Sequence, residues 1–150
     1  MLQKEALTSL ITYLLKYTDC QTQIETNGSI CPPNLTSQNP RVGWVLDYKL
    51  GSSGTNTKMM SLDMFVDILG RSPNNYLKFV VANREDLFEA IDACKELIRC
   101  GVHYRNFIIS PIDAKGIMIP NIVQDIEKMY PSLLDYVIFS VQLHKLLKLP

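Results

Sequence analysis

The sequence lacks several things, and each shortage excludes a class of protein. Neither charge is in excess: 15 Lys and Arg balance 15 Asp and Glu, for a net charge of zero. Binding along a phosphate backbone normally rests on a basic surplus, so nucleic acid is not an expected partner. Charged residues make up only 20% of the chain against 47% hydrophobic ones, which is the balance of a packed core, not of a disordered tail. No apolar run reaches the roughly 20 residues that a membrane helix needs. Met1-Leu2-Gln3-Lys4-Glu5 lacks the charged-then-apolar pattern of a secretory signal. A cytoplasmic location without membrane contact is the expectation. Cysteine is sparse and badly spaced for metal: Cys20, Cys31, Cys94 and Cys100 include no Cys-x-x-Cys pair, which zinc ribbons and most iron–sulfur sites require.

What is present is apolar periodicity over 150 residues, enough for one domain. Leu7, Leu10, Ile11 and Leu14 recur at helical spacing, so Gln3 to about Tyr17 predicts an amphipathic helix. Gln21 to Ile24 alternates weakly and runs into Glu25-Thr26-Asn27-Gly28, and the proline-rich stretch Cys31 to Pro40 reads as a loop. Val42 to Leu46 predicts a buried strand, followed by Asp47-Tyr48-Lys49 and the glycine–serine loop Gly51 to Thr55. A helix is expected around Ser61 to Leu69, a strand over Leu77 to Val81, and a helix capped by Asn83 that buries Leu87, Ile91 and Cys94 and ends near Gly101. Phe107 to Ile109 predicts a strand ending in Ser110-Pro111, Pro120 opens another helix, and Tyr136 to Val141 is the last strand. The order α-β-β-α-β-α-β-α-β argues for a parallel sheet with right-handed crossovers, open or part of a barrel.

In such sheets ligands bind beyond the carboxyl ends of the strands. Sorted by that rule, Glu25, Thr26, Asn27, Asp47, Lys49, Ser52, Ser53, Asn83, Ser110, Gln142 and His144 share one rim. Strand ends turn polar wherever they meet water, and an N-cap role accounts for Asn83 on its own. An Asp–Lys pair beside a glycine–serine loop is explained less well that way. Gly51-Ser52-Ser53-Gly54 lacks the Gly-Lys-Ser/Thr ending of a phosphate-binding loop, and no nucleophile elbow or metal-binding His pair is visible. Glu25 and Asp47 form a candidate carboxylate pair, and His144 a candidate proton donor. The residues alone point to a parallel α/β domain with a small-molecule site on its rim.

Five segments in order carry a resemblance: Ile24-Glu25-Thr26-Asn27-Gly28, Leu46 through Gly54 with Asp-x-Lys-x-x-Ser-Ser-Gly, Leu77 to Val81 with Asp86 following, Ile109-Ser110-Pro111, and Val141-Gln142-Leu143-His144-Lys145. Together they resemble the 7-carboxy-7-deazaguanine synthases of queuosine biosynthesis, radical S-adenosylmethionine enzymes that rearrange 6-carboxytetrahydropterin with loss of ammonia. The resemblance implies a partial (β/α) barrel, a four-iron four-sulfur cluster, S-adenosylmethionine and magnesium. It places Glu25 and Asn27 against S-adenosylmethionine, with Lys49, Ser52 and Ser53 on its ribose and amino-acid portion and Ser110-Pro111 beside them. It places His144 and the terminal carboxylate of Pro150 against the pterin.

The sequence also departs from that family. The Cys-x-x-x-Cys-x-x-Cys loop, the Gly-Gly-Glu-Pro strand end and the magnesium-binding threonine are absent, and Met1-Leu2-Gln3 stands where the family's first helix begins. Gly51 replaces a usual proline, and Leu147-Lys148 replaces Ile-Trp. The expectation is a single incomplete domain over residues 1–150, about five strands of a partial barrel whose first strands are missing. Such a chain would not turn over alone, and it would pair with itself or with a complementing N-terminal segment. Two alternatives stand beside it: a non-catalytic binding or scaffold protein, and a fragment of a glycyl-radical activating enzyme, against which the Gln-x-His-Lys ending argues.

Overall fold

The computed structural model describes residues 2–33, 39–54, 59–103, 106–112 and 119–140. His144 and Pro150 lie outside them, as do Gln142 and the end of the expected last strand. Helix α1 (Leu2–Tyr17) leads into β1 (Thr22–Thr26) and β2 (Val42–Tyr48), followed by a short 3-10 turn at Gly51–Ser53. Then come α2 (Leu62–Arg71), β3 (Tyr76–Val81), α3 (Arg84–Arg99), β4 (Phe107–Pro111), α4 (Ile119–Met129), a second 3-10 turn at Pro131–Asp135, and β5 (Val137–Phe139).

All four strand pairings are parallel, and the sheet order β1-β2-β3-β4-β5 is the chain order. A sheet that always steps the same way, with right-handed crossovers, puts every crossover helix on the same face. The result is a singly wound, partial (β/α) barrel. The alternation of burial confirms the division. Trp44, Leu46, Leu77, Phe79, Phe107 and Ile109 point to one face and are buried under the helices, joined there by Phe65, Ile68 and Leu69 of α2 and Leu87, Ile91 and Cys94 of α3. The opposite face, called the open face because the core helices pack on the other side, carries Glu25, Val45, Asp47, Tyr76, Lys78, Val80, Ile108 and Ser110, of which Val45 and Ser110 are nonetheless buried. Burying the large side chains on the covered face contributes roughly 1.5–3 kcal/mol each and supplies most of the drive to fold.

Three strands run differently from the expectation, two of them for reasons of register. β2 does not stop at Leu46: Asp47 and Tyr48 pair with Lys78 and Phe79 of β3, so Asp47 is a sheet residue. Ser110 likewise lies within β4, opposite Val80. β5 begins at Val137 because Pro131–Asp135 folds as a 3-10 turn that Tyr136 closes through its N–H to the Leu133 carbonyl.

Two local devices shape the rim. The Asn83 side chain accepts from the Asp86 N–H at 2.8 Å, capping α3, while Asp86 at the third helical position accepts from the Ala82 N–H at 2.9 Å. Gly28, just past β1, sits at φ +70°, where a Cβ would lie 2.1 Å from the Asp47 carbonyl oxygen. The chain therefore turns off β1 directly against β2, and only glycine allows so close an approach.

Candidate functional site

The open face gathers four charges at its carboxyl end. Glu25 of β1 stands level with Val45, and Asp47 stands level with Lys78. The Lys78 ammonium does not pair with that neighbour. It reaches across β2 to the Glu25 carboxylate, Nζ to Oε2, at 3.4 Å. Asp47 is taken instead by Lys49, whose Nζ donates to Oδ2 at 2.8 Å. Strands β1 and β3 lie about 10 Å apart, twice the spacing of paired strands, so the Lys78 stem runs over Val45. That valine is 2% exposed although no described helix covers its face. The outcome is an alternating array of two carboxylates and two ammonium groups on an apolar floor of Val45, Val80 and Ile108.

Ser110 adds a polar group to this face. It is 1% exposed, and its hydroxyl has no hydrogen-bond partner. A buried hydroxyl without a partner is rare in folded proteins.

Other residues expected at the site have different occupations. The Ser52 hydroxyl donates to Asp86 Oδ2 at 2.6 Å, and its N–H donates to Oδ1 at 3.3 Å. The Gly51 N–H donates to Glu89 Oε2 at 2.8 Å. The glycine–serine loop is thus fastened to the first turns of α3. Ser53 is exposed, and its N–H donates to the Leu50 carbonyl to close the 3-10 turn. The Asn27 side chain is folded back, its Oδ1 accepting from the Ser29 N–H at 3.2 Å and the Ser29 hydroxyl at 2.7 Å. Glu25 and Asp47 lie on the same face of adjacent strands, but each is held by its own lysine.

Lys78 is the participant that sequence reasoning did not single out. The signal was there: in Leu77-Lys78-Phe79, a lysine between two core residues must point away from the core. Its partner was not legible, because the pairing spans 53 positions and depends on strand order.

Two nearby groups have shifted acidities. Burial, with the Glu89 carboxylate and Cys94 adding to it, raises the Tyr48 phenol above its ordinary value. Burial alone raises the Cys94 thiol well above its own. Cys94 is part of the core, Cys31 lies in the loop after β1, and Cys20 and Cys100 are exposed. Among the described residues no group of three or more His, Cys, Asp or Glu side chains is arranged to hold a metal ion. Among the same residues, no helix is long and apolar enough to cross a membrane. No protein-family model, curated protein or solved structure matches the chain.

Proposed function

We propose that this chain is the C-terminal part of a cytoplasmic radical S-adenosylmethionine enzyme of the 7-carboxy-7-deazaguanine synthase kind, and that the open face receives S-adenosylmethionine weakly. One observation carries the reading: two carboxylates and two lysines alternate at the carboxyl end of a singly wound parallel sheet, through the Glu25–Lys78 and Asp47–Lys49 pairs. S-adenosylmethionine carries a carboxylate, an ammonium, a sulfonium and ribose hydroxyls. Lys49 and Lys78 suit the carboxylate. Glu25 and Asp47 suit the cationic groups and the hydroxyls, and Ser110 stands on the same face, buried. Asn27 and Ser53 sit at the margin of that site, and Ser52 supports it through Asp86. His144 and Pro150 would face the pterin.

In the family, the cluster supplies the electron that cleaves S-adenosylmethionine. The described residues do not fit a cluster or a magnesium ion, so no step is assigned to either, and turnover by this chain alone is not expected. The contribution of the chain is to bind and orient. A complementing segment is expected at β1, the edge of the sheet, where backbone groups are open to another strand. Next to it, α1 has a wider apolar arc than the sheet covers: Leu10, Tyr13 and Tyr17 are each more than half exposed. Anaerobic cluster reconstitution followed by assays for bound iron and 5′-deoxyadenosine tests the reading. The expected result is neither in stoichiometric amount, and finding both would overturn it.

A second reading, a non-catalytic scaffold, is favoured by the hydrogen bonds that tie Ser52 to Asp86 and Gly51 to Glu89, which give the glycine–serine loop a structural task. It predicts no calorimetric response to S-adenosylmethionine at millimolar concentration.

A further inference from the structure

A separate pocket of about 390 Å³ lies under α1 at the edge of the sheet, on the helix side of β1 and β2. Its apolar walls come from Leu7 of α1, Ile24 and Trp44 of the paired strands, and Pro32 of the loop that follows β1. The volume falls in the range of small-molecule sites. Trp44 is 2% exposed, and its indole N–H has no hydrogen-bond partner. A buried indole N–H ordinarily finds an acceptor, and this one is closed to water as well, so an apolar wall of the pocket includes a donor with nothing to donate to. Lys4 lines the same pocket and brings a cation. The acceptors nearby are already engaged: Glu25 is paired with Lys78, and the Thr26 hydroxyl accepts from the Gly28 N–H at 3.1 Å.

Apolar walls with unmet donors and a cation describe the complement of an apolar acid. We infer that this pocket binds a small monocarboxylate with an aliphatic or aromatic body, the body lying against Leu7, Ile24 and Trp44 and the carboxylate meeting Lys4 and, once the side chains that cover it shift, the indole N–H. The site adjoins the one proposed for S-adenosylmethionine, since Glu25 and Asn27 also line this pocket, but Lys49, Lys78 and Ser110 take no part in it.

The chain contains one tryptophan, so excitation at the red edge of indole absorption reports on this wall alone. The full chain is titrated with octanoate, with octylammonium and octanol as matched probes. The expected result is a saturable change in Trp44 emission with octanoate, weakened about ten-fold in Lys4→Gln and at least as much for octanol. Calorimetry with Trp44→Phe, which keeps an aromatic wall and removes the donor, is expected to show weakened octanoate binding in a chain whose circular dichroism is unchanged. An absence of saturable response to octanoate, an equal response to octylammonium, or undiminished affinity in both variants would overturn the assignment. Each of these results leaves S-adenosylmethionine binding to be read separately.

Discussion

Lys78 reaches past its immediate neighbour Asp47 and over a whole strand to meet Glu25 at 3.4 Å. The bridge has two parts, an ammonium in an exposed ion pair and a hydrocarbon stem over Val45. Glu25 is 64% exposed, so the ion pair itself is worth less than about 1 kcal/mol. Lys78→Ala removes both parts and is expected to cost about 1–2 kcal/mol. Lys78→Met keeps a stem and is expected to recover most of that loss. Urea denaturation of the two variants separates the contributions. Equal losses would show that the charge, not the stem, matters to folding.

Asp86 is the structural carboxylate of the rim. It is 3% exposed and accepts from the Ser52 hydroxyl, the Ser52 N–H and the Ala82 N–H. Asp86→Ala leaves three part-buried donor bonds unmade and is expected to cost about 2–3 kcal/mol, whereas Ser52→Ala, which loses one bond, costs about 1 kcal/mol. In the double variant the losses should fall short of additive, since the two share a hydrogen bond. A denaturation series that gave full additivity would argue against that bond in solution.

Gly28 ties the end of β1 to β2. Gly28→Ala brings a methyl group to 2.1 Å from the Asp47 carbonyl at φ +70°, so the turn must move. The expected cost is at least 2 kcal/mol, above the roughly 1 kcal/mol of an unclashed left-handed alanine. Thermal unfolding measures it, and a melting temperature within a degree of the parent would contradict the close approach.

Stability should fall in alkali, with a sign set by Cys94. Its thiol is raised by burial above the ordinary value of 9.0, so the unfolded chain releases the proton first. The stability from this group is complete below pH 9 and is lost as pH rises, at up to about 1.4 kcal/mol per pH unit. Tyr48, raised above 10.0, adds a loss of the same sign above pH 10. Cys94→Ala is expected to flatten the profile between pH 9 and 10 relative to the parent. Parallel profiles would remove Cys94 as the cause.

Much of the architecture was legible because periodicity reports directly on burial. Leu87, Ile91 and Cys94 mark the inner face of α3, and Asn83 announces its start. The parallel sheet follows from alternating strands and helices. The site was harder to read. Asp47 and Ser110 look like strand ends in the sequence, and only pairing with β3 makes them sheet residues on the open face. Ser52 was expected on the rim because it follows a strand end, and the resemblance placed it against S-adenosylmethionine. Its bond to Asp86 joins residues 34 positions apart, which no local pattern encodes. The unmet hydroxyl of Ser110 and indole N–H of Trp44 are likewise properties of packing, which no local pattern encodes.

The central claim is that the charge array on the open face recognises S-adenosylmethionine without cleaving it. Calorimetric titration of the purified chain with S-adenosylmethionine, repeated on Lys49→Gln, tests it most directly. The account predicts weak, saturable binding to the parent, reduced about ten-fold when the lysine charge is removed. No saturable heat at millimolar S-adenosylmethionine, or the same affinity in the variant, would contradict it.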